Sequence, residues 1–231
     1  MASYYRISAF LLIIPLIAGC GGRDFTNPDA GSSGDGVAEI SEYMGEPLTA
    51  TWRMHLTSIG GVPEIDIDSW RLRVEGLVDT PREFTYDELL AREKVSRVVW
   101  LHCVDGWSAK ILWEGFSLRD LFDEVGIQNQ ASYAMFYAAD GFHNYLTVSF
   151  IRVNDIIAAT HANGRPLRTD RGFPLHIISM SKYGYKWCKW VTRIVLSDSP
   201  EDGGTYENTG YPRDGNVGDS YYDPDESLLT P

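Results

Sequence analysis

The sequence predicts an α+β domain in which mixed sheets are combined with short helices. Some segments alternate apolar and polar residues, or are dense in β-branched and aromatic residues, which is typical of strands. One segment instead places apolar residues at helical spacing. The two patterns follow each other without a regular βαβ repeat, so a purely parallel sheet is not expected.

The first elements lie between residues 70 and 104. Trp70, Leu72 and Val74 alternate with charged residues, which predicts a half-buried strand. Thr85 stands three residues before Glu88, the spacing of a capping box, so a short helix is expected to begin there. Residues 95–104 are rich in β-branched and aromatic side chains and predict a buried strand.

The second half continues the alternation of strands and helices. Ser117 is placed to begin a helix and Gly126 to end it, with four apolar residues between them at positions i, i+3, i+4 and i+7. A helix is also predicted around 154–160, and the Asp140-Gly141-Phe142 run is predicted to be a hairpin turn. Further strands are predicted at 133–138, 145–148, 175–179 and 190–196.

Composition excludes several classes of protein. The chain has 231 residues with 32 acidic and 20 basic side chains, a formal charge of −12. Such an excess would repel phosphate backbones, so we expect no nucleic-acid partner. Three cysteines are too few for a disulfide framework. No internal run reaches the ~18 apolar residues of a spanning helix, which excludes a multi-pass membrane protein.

The N-terminus resembles a bacterial lipoprotein signal peptide. Arg6 precedes an apolar run, and small residues precede Cys20. We expect residues 1–19 to be removed and Cys20 to carry lipid, which gives an extracytoplasmic lipoprotein anchored to the membrane on its periplasmic side. The alternative is an ordinary secretory signal in which the cysteine is incidental.

Three regions follow the leader. Residues 20–46 are glycine-rich and predict a flexible tether. Residues 47–198 have the length of one domain. Residues 199–231 form an acidic tail that could wrap on the domain through its tyrosines.

Charge is unevenly spread within the body. Residues 152–193 contain eight basic and two acidic residues, although the body as a whole is nearly neutral. This local excess of positive charge predicts an anionic partner; the alternative is a solvated basic face.

Two segments contain the residues that indicate a chemical function. In residues 101–108, Cys103 stands at the end of a predicted strand before a glycine-containing turn, which suits a metal ligand or a nucleophile. In residues 171–190, glycines permit close approach of the backbone to a ligand, and lysines supply ammonium groups for a phosphate.

These segments together resemble the molybdopterin-binding domain of the sulfite oxidase family, including its bacterial periplasmic branch of sulfoxide reductases. The resemblance runs from about Trp52 to Ser197 and faintly continues through 203–211. The matching segments are 63–66, 70–76, 101–108, 113–121, 163–167, 183–186 and 189–190.

The resemblance implies a sulfite oxidase-like fold and a molybdenum–molybdopterin cofactor. It implies that the thiolate of Cys103 binds molybdenum, which suits a soft ligand. It also implies a set of residues that hold the pterin and its phosphate. These are Tyr183, Gly184, Tyr185, Lys186 and Lys189, with Arg171 adding a charge.

Two further residues are assigned by the same resemblance. Family members usually have arginine where this chain has His176, which can still donate a hydrogen bond to the cofactor but is only partly charged near neutral pH. Tyr145 stands where some relatives place a tyrosine on the substrate side, and is a candidate catalytic residue.

We therefore expect a molybdenum oxidoreductase that moves an oxygen atom on a sulfite, a sulfoxide or a methionine sulfoxide in a protein. The body lacks a Cys-x-x-Cys-His haem motif and a set of iron–sulfur cysteines. A separate haem- or quinone-linked partner would therefore carry the electrons one at a time.

Three alternatives stay open. A lipoprotein that keeps the fold but binds another anion without a cofactor is favoured by His176 and by a leader with a single arginine. A structural disulfide could join Cys103 to Cys188 in an oxidising compartment. A cysteine hydrolase is the third, although adjacent His102 and Cys103 should face opposite sides of their strand.

Overall fold

A computed structural model describes residues 38–200 and 203–218 and has the predicted α+β architecture, with two five-stranded sheets, a small ribbon and three short helices in this part of the chain. The strands are β1 (Glu42–Tyr43), β2 (Glu46–Pro47), β3 (Leu72–Gly76), β4 (Arg82–Phe84), β5 (Val95–His102), β6 (Ser108–Ser117), β7 (Tyr133–Ala138), β8 (His143–Thr147), β9 (Ile157–Ala162), β10 (Arg165–Pro166), β11 (His176–Ile178) and β12 (Val191–Ser197). The helices are α1 (Tyr86–Leu90), α2 (Leu118–Val125) and α3 (Val148–Asn154).

The first sheet has the strand order β4-β3-β12-β7-β8. Strands β3 and β12 are parallel and the other pairs are antiparallel, so the prediction of a mixed sheet is confirmed. The larger hydrophobic core includes residues of this sheet and of α2, among them Leu72, Phe122 and Ile194, whose side chains are fully buried.

The second sheet carries the functional region. Its order is β10-β9-β6-β5, and β11 also pairs with β9. Strands β5 and β6 form a long antiparallel hairpin whose last pair is His102 with Ser108. Residues 103–107 therefore form the turn at the end of this hairpin. A smaller core that includes Ile111 and Trp113 lies beneath it.

Local sequence signals explain several element boundaries. The Thr85 hydroxyl accepts a hydrogen bond from the Glu88 N–H and the Glu88 carboxylate accepts one from the Thr85 N–H, so the predicted capping box is confirmed. Gly126 ends α2 in the left-handed conformation at φ 70°, as predicted. The Ser117 hydroxyl does not cap α2 and instead donates to Asp155 Oδ1 at 2.7 Å.

The prediction of a helix around residues 154–160 is wrong. Helix α3 lies earlier in the chain because the Thr147 hydroxyl caps it and Asp155 ends it in a left-handed conformation at φ 47°. Residues 157–162 are a strand, because their backbone pairs with β6 on one side and with β10 and β11 on the other. Tertiary pairing overrides the helix preference of the alanines in this segment.

Several predictions fall wholly or partly outside the described residues. The leader 1–19, the lipidation site Cys20, most of the tether 20–46 and the end of the tail 199–231 lie there. Within the described part, the end of the tether contacts the body, since the Ile40 N–H donates to the Asn163 carbonyl at 3.1 Å. None of the described helices is long and apolar enough to cross a bilayer.

Gly115 sets the distance between β6 and β9, and its replacement should destabilise the fold. A Cβ at this position would lie 2.7 Å from the Cα of Ala159, which is too close for ordinary packing. We expect Gly115→Ala to lower the free energy of unfolding by about 1–3 kcal/mol, measured by urea denaturation. Gly184→Ala is the matched control, since its Cβ would meet nothing nearer than 3.6 Å. Equal stability of the two variants would contradict the prediction.

Candidate active site

A cavity of about 240 Å³ opens beside the turn that follows β5. It is surrounded by that turn, the segment 54–59, the β7–β8 turn, the segments 171–176 and 184–190, and the tail. Its lining includes Met54, His55, Thr57, Cys103, Asp105, Trp107, Phe142, Arg171, His176, Gly184, Tyr185, Trp187, Lys189, Trp190, Tyr206 and Tyr211.

Cys103 is partly exposed and its side chain lines this cavity. Its N–H donates to the Trp107 carbonyl at 2.9 Å, which closes the turn, and its thiol donates to Asp105 Oδ2 at 3.5 Å. Burial raises the pKa of the Cys103 thiol, and the charge of Asp105 raises it further. The free protein therefore carries a thiol here, and a metal would be needed to hold it as thiolate.

His102 faces the other side of the hairpin, as predicted. Its Nδ1 lies 2.8 Å from the Ser108 hydroxyl, and its ring stacks on Trp100 at 5.9 Å. His102 and Trp100 line a separate surface groove. A Cys-His pair made of adjacent residues is therefore excluded.

The predicted pterin loop lies directly beside Cys103. Tyr183 makes a backbone bridge with His102, and a Cβ on Gly184 would come within 3.9 Å of the Cys103 Cα. Gly184 and Tyr185 line the cavity. Tyr183 is not among the lining residues; its N–H donates to the Gly215 carbonyl at 2.8 Å.

Arg171 lines the cavity but already uses its guanidinium to hold a neighbouring segment. Its Nε donates to the Thr51 carbonyl at 2.9 Å and its Nη2 to the Met54 carbonyl at 2.8 Å, while Nη1 pairs with Asp170. Arg171 therefore fixes the wall that contains Met54, and its direct contact with a cofactor stays a prediction.

His176 is fully buried in the cavity wall. Its ring packs edge-on against Trp113 at 5.1 Å and Trp187 at 6.1 Å, and both ring nitrogens are buried. Burial, and to a smaller extent the positive charge of Lys189, lowers the pKa of His176 to about 3, whereas a hydrogen bond with the Arg171 backbone acts in the opposite direction. The imidazole is therefore neutral near pH 7, with one donor and one acceptor.

Lys189 lies beside His176. Its ammonium donates to the Thr57 carbonyl and lies 4.4 Å from the centre of the Trp190 ring. Gly172 permits this arrangement, because a Cβ there would approach both the Lys189 and the His176 side chains to 3.2 Å. Burial lowers the pKa of Lys189 to about 8. The side chain therefore stays largely charged at pH 7.

Lys186 is buried and paired with the tail. Its ammonium donates to Glu207 and to the Arg213 carbonyl at 3.0 Å, and it lies 4.1 Å from the centre of the Tyr145 ring. Burial lowers the pKa of Lys186, whereas Glu207 acts in the opposite direction. Lys186 is not among the residues lining the cavity, so its predicted phosphate contact would require it to leave Glu207.

Tyr145 also lies outside the set of lining residues. It is buried and contacts Lys186 and the ring of Tyr133. Burial raises its pKa. Its catalytic role stays a prediction.

Tyrosines of the tail form part of the cavity wall, as their number in the sequence had suggested only in general terms. Tyr206 and Tyr211 pack against Tyr185, at ring distances of 5.8 and 5.2 Å.

The sequence analysis did not identify Asp105, His55 and Trp107 as cavity residues. Trp107 could have been found from the hairpin itself, because it stands opposite Cys103.

Cys103 and Cys188 are both free thiols in the structure. Cys188 is fully buried in the larger core, so the disulfide alternative does not describe this fold. Within residues 38–200 and 203–218, no group of three or more His, Cys, Asp or Glu side chains could hold a metal. A metal at Cys103 would therefore need most of its ligands from a cofactor.

Comparison with known proteins decides the family. The model of the oxidoreductase molybdopterin binding domain matches residues 59–205. The chain belongs to this family.

The molybdopterin-binding domain has several known relatives. It is 31% identical over 155 residues to the uncharacterized oxidoreductase YuiH of Bacillus subtilis, covering 66% of this chain and 77% of that protein. It is 32% identical over 150 residues to the putative protein-methionine-sulfoxide reductase subunit YedZ1 of Azospira oryzae, covering 65% and 57%. The chain thus spans little more than half of this second relative.

A solved structure supports the fold. The sulfane dehydrogenase SoxCD of Paracoccus pantotrophus superposes with a TM-score of 0.58 at 23% identity, covering 60% of this chain and 41% of that chain. The sulfite oxidase-like fold predicted from the sequence is confirmed, and family membership implies a molybdenum–molybdopterin cofactor.

The residues of the cavity fit such a cofactor. Both ring nitrogens of His176 are buried, and a pterin could offer hydrogen-bonding groups to them. Lys189 would provide a cation for a phosphate, and Cys103 would provide a single soft ligand.

The Lys186–Glu207 pair should be essential for docking the tail. Both side chains are at most 3% exposed. We expect Glu207→Gln to lower the free energy of unfolding by about 3–5 kcal/mol, because it leaves a buried ammonium without its charged hydrogen-bond partner. Thermal and urea denaturation would measure this. Glu83→Gln, which removes one partner of an exposed pair with Arg73, should have little effect, and a similar loss in both variants would refute the prediction.

Proposed function

We propose that this oxidoreductase reduces neutral sulfoxides by oxygen-atom transfer at a molybdenum held by Cys103. The observation that carries the proposal is the pairing of a cysteine sulfur with a carboxylate in a cavity that the ammonium-bearing side chain of Lys189 also lines. The relative YedZ1, described as a putative subunit of a protein-methionine-sulfoxide reductase, supports a sulfoxide.

Different residues of the cavity would have different tasks. Lys189 would neutralise the cofactor phosphate, neutral His176 would hydrogen-bond the pterin, and Gly184 would allow its close approach. Arg171 would act indirectly, by fixing the wall at Met54. When bound, the cofactor supplies the redox-active metal that accepts and donates oxygen.

The charge near Cys103 supports a neutral class of substrate over an anionic one. The Asp105 carboxylate accepts a hydrogen bond from the Cys103 thiol, and its charge raises the pKa of that thiol. Asp105 is exposed, and its carboxylate still repels sulfite and other oxyanions at short range, whereas a dipolar sulfoxide carries no net charge. Asp105 would therefore favour a sulfoxide over an anion.

The reaction also needs electrons and protons. Reduction of a sulfoxide to a sulfide consumes two electrons and two protons and releases water. A separate redox protein would supply the electrons, since the sequence contains no haem motif and no set of iron–sulfur cysteines. We further propose that the protein works outside the cytoplasm, anchored through lipid on Cys20, which lies outside the described residues.

Substitution of Cys103 tests directly whether its sulfur holds the metal. We expect Cys103→Ser to lose molybdenum and at least 100-fold of the sulfoxide reductase activity, because a hydroxyl is a harder and weaker ligand (about two orders of magnitude is the usual cost of disturbing a metal site). Metal analysis and reduction of methyl sulfoxides with a viologen dye would measure both. Cys188→Ala is the matched control and should keep metal and activity, since that sulfur lies in the core.

A Cys103→Ser protein with full metal and full activity would overturn the metal assignment. Wild-type protein from a molybdenum-replete host that contains no molybdenum, yet binds phosphate through Lys189, would instead favour the cofactor-free anion-binding lipoprotein.

Asp105 should control discrimination between substrates. We expect Asp105→Asn to raise kcat/KM for sulfite relative to that for dimethyl sulfoxide by roughly 2- to 5-fold, because removal of one exposed charge nearby is worth at most about 1 kcal/mol. Steady-state kinetics with both substrates would measure the ratio. Asp87→Asn, a charge removal on helix α1, should leave the ratio unchanged. An unchanged ratio in Asp105→Asn would show that its charge does not select the substrate.

A further inference from the structure

Trp107 stands opposite Cys103 in the hairpin. His102 and Ser108 form the last register pair of β5 and β6, and the Cys103 N–H donates to the Trp107 carbonyl one step beyond it. Side chains directly opposite each other on antiparallel strands lie on the same face. The side chains of Cys103 and Trp107 accordingly both line the cavity, whereas His102 lies on the other face.

The indole of Trp107 has an unsatisfied donor. Its Nε1 is buried and has no hydrogen-bond partner in the described residues, although the ring itself is partly exposed. The ring packs against His55 at 5.4 Å, which fixes its position. A buried donor without an acceptor is unfavourable and is uncommon in folded proteins, so it requires an explanation.

The chemistry of the Trp107 indole N–H restricts the kind of ligand that it can bind. An indole N–H donates one hydrogen bond, carries no charge and cannot accept. Asp105, two residues away, adds a negative charge to the same turn and disfavours an anionic ligand. A neutral ligand with a strong acceptor oxygen fits both side chains.

We propose that Trp107 is a positioning residue that donates its indole N–H to the oxygen of a sulfoxide and holds that oxygen at the Cys103 end of the cavity. This inference rests on the proposed function and adds to it the group that recognises the substrate oxygen. Asp105 excludes anions, and Trp107 orients the neutral substrate that remains.

Trp107→Phe isolates the donor, because it keeps an aromatic ring beside His55 and removes the N–H. We expect KM for dimethyl sulfoxide to rise roughly 3- to 10-fold, the usual cost of one neutral hydrogen bond, with a smaller change in kcat. Molybdenum content and Tm should stay at wild-type values. Trp100→Phe is the matched control and should leave KM unchanged, since that ring lies on the opposite face against His102.

A binding measurement tests the donor without turnover. In ¹⁵N-indole-labelled protein kept oxidised and without an electron donor, the signal absent from Trp107→Phe is assigned to Trp107. We expect this signal to shift on titration with dimethyl sulfoxide, while the Trp100 signal stays in place. An unmoved Trp107 signal, or a wild-type KM in Trp107→Phe, would overturn the proposal.

The same titration separates this inference from the proposed function. If the protein reduces no sulfoxide but the Trp107 signal shifts, the reductase proposal fails and the donor assignment stands. If sulfoxide is reduced and the signal does not move, the reductase proposal stands and the donor assignment fails.

Discussion

The hydrogen bond from the Cys103 N–H to the Trp107 carbonyl is the constraint on which the site depends. It closes the turn of a hairpin whose strands are already fixed by eight residue pairs. This rigid base holds the sulfur, the Asp105 carboxylate and the Trp107 ring in one short segment beside the cavity. Functional groups supported by a regular sheet are held more accurately than groups on a free loop.

Charged groups of both signs line this cavity. Asp105 accepts a hydrogen bond from the Cys103 thiol, and Lys189 lies beside His176. Burial keeps His176 neutral between the tryptophan rings, so its imidazole adds no charge to that wall. Lys186, which contributes to the local excess of basic residues in the sequence, is neutralised by Glu207 from the tail. A count of charges along the chain therefore overestimates the positive charge available to a ligand.

Local patterns predicted the parts of the fold that local interactions determine. The capping box at Thr85 and the helix that ends at Gly126 needed only neighbouring residues. The strand leading to Cys103 was predicted in the right place, but the prediction that it is buried is wrong: it lies at the edge of its sheet, and Leu101 is its one buried residue. Residues 157–162 were misjudged because their conformation depends on pairing with distant strands. The adjacency of Gly184 to Cys103 followed from the family resemblance, since no local pattern links segments 80 residues apart. The tail partner of Lys186 could not be predicted for the same reason.

The aromatic lining has a practical consequence. Trp107, Trp187 and Trp190 all border the cavity, and two of the seven tryptophans of the chain, Trp52 and Trp100, are substantially exposed. Indole emission responds to nearby polarisable groups and to the exclusion of water. The protein thus contains its own optical reporter, and filling of the cavity should be visible as a change in intrinsic fluorescence without any attached dye.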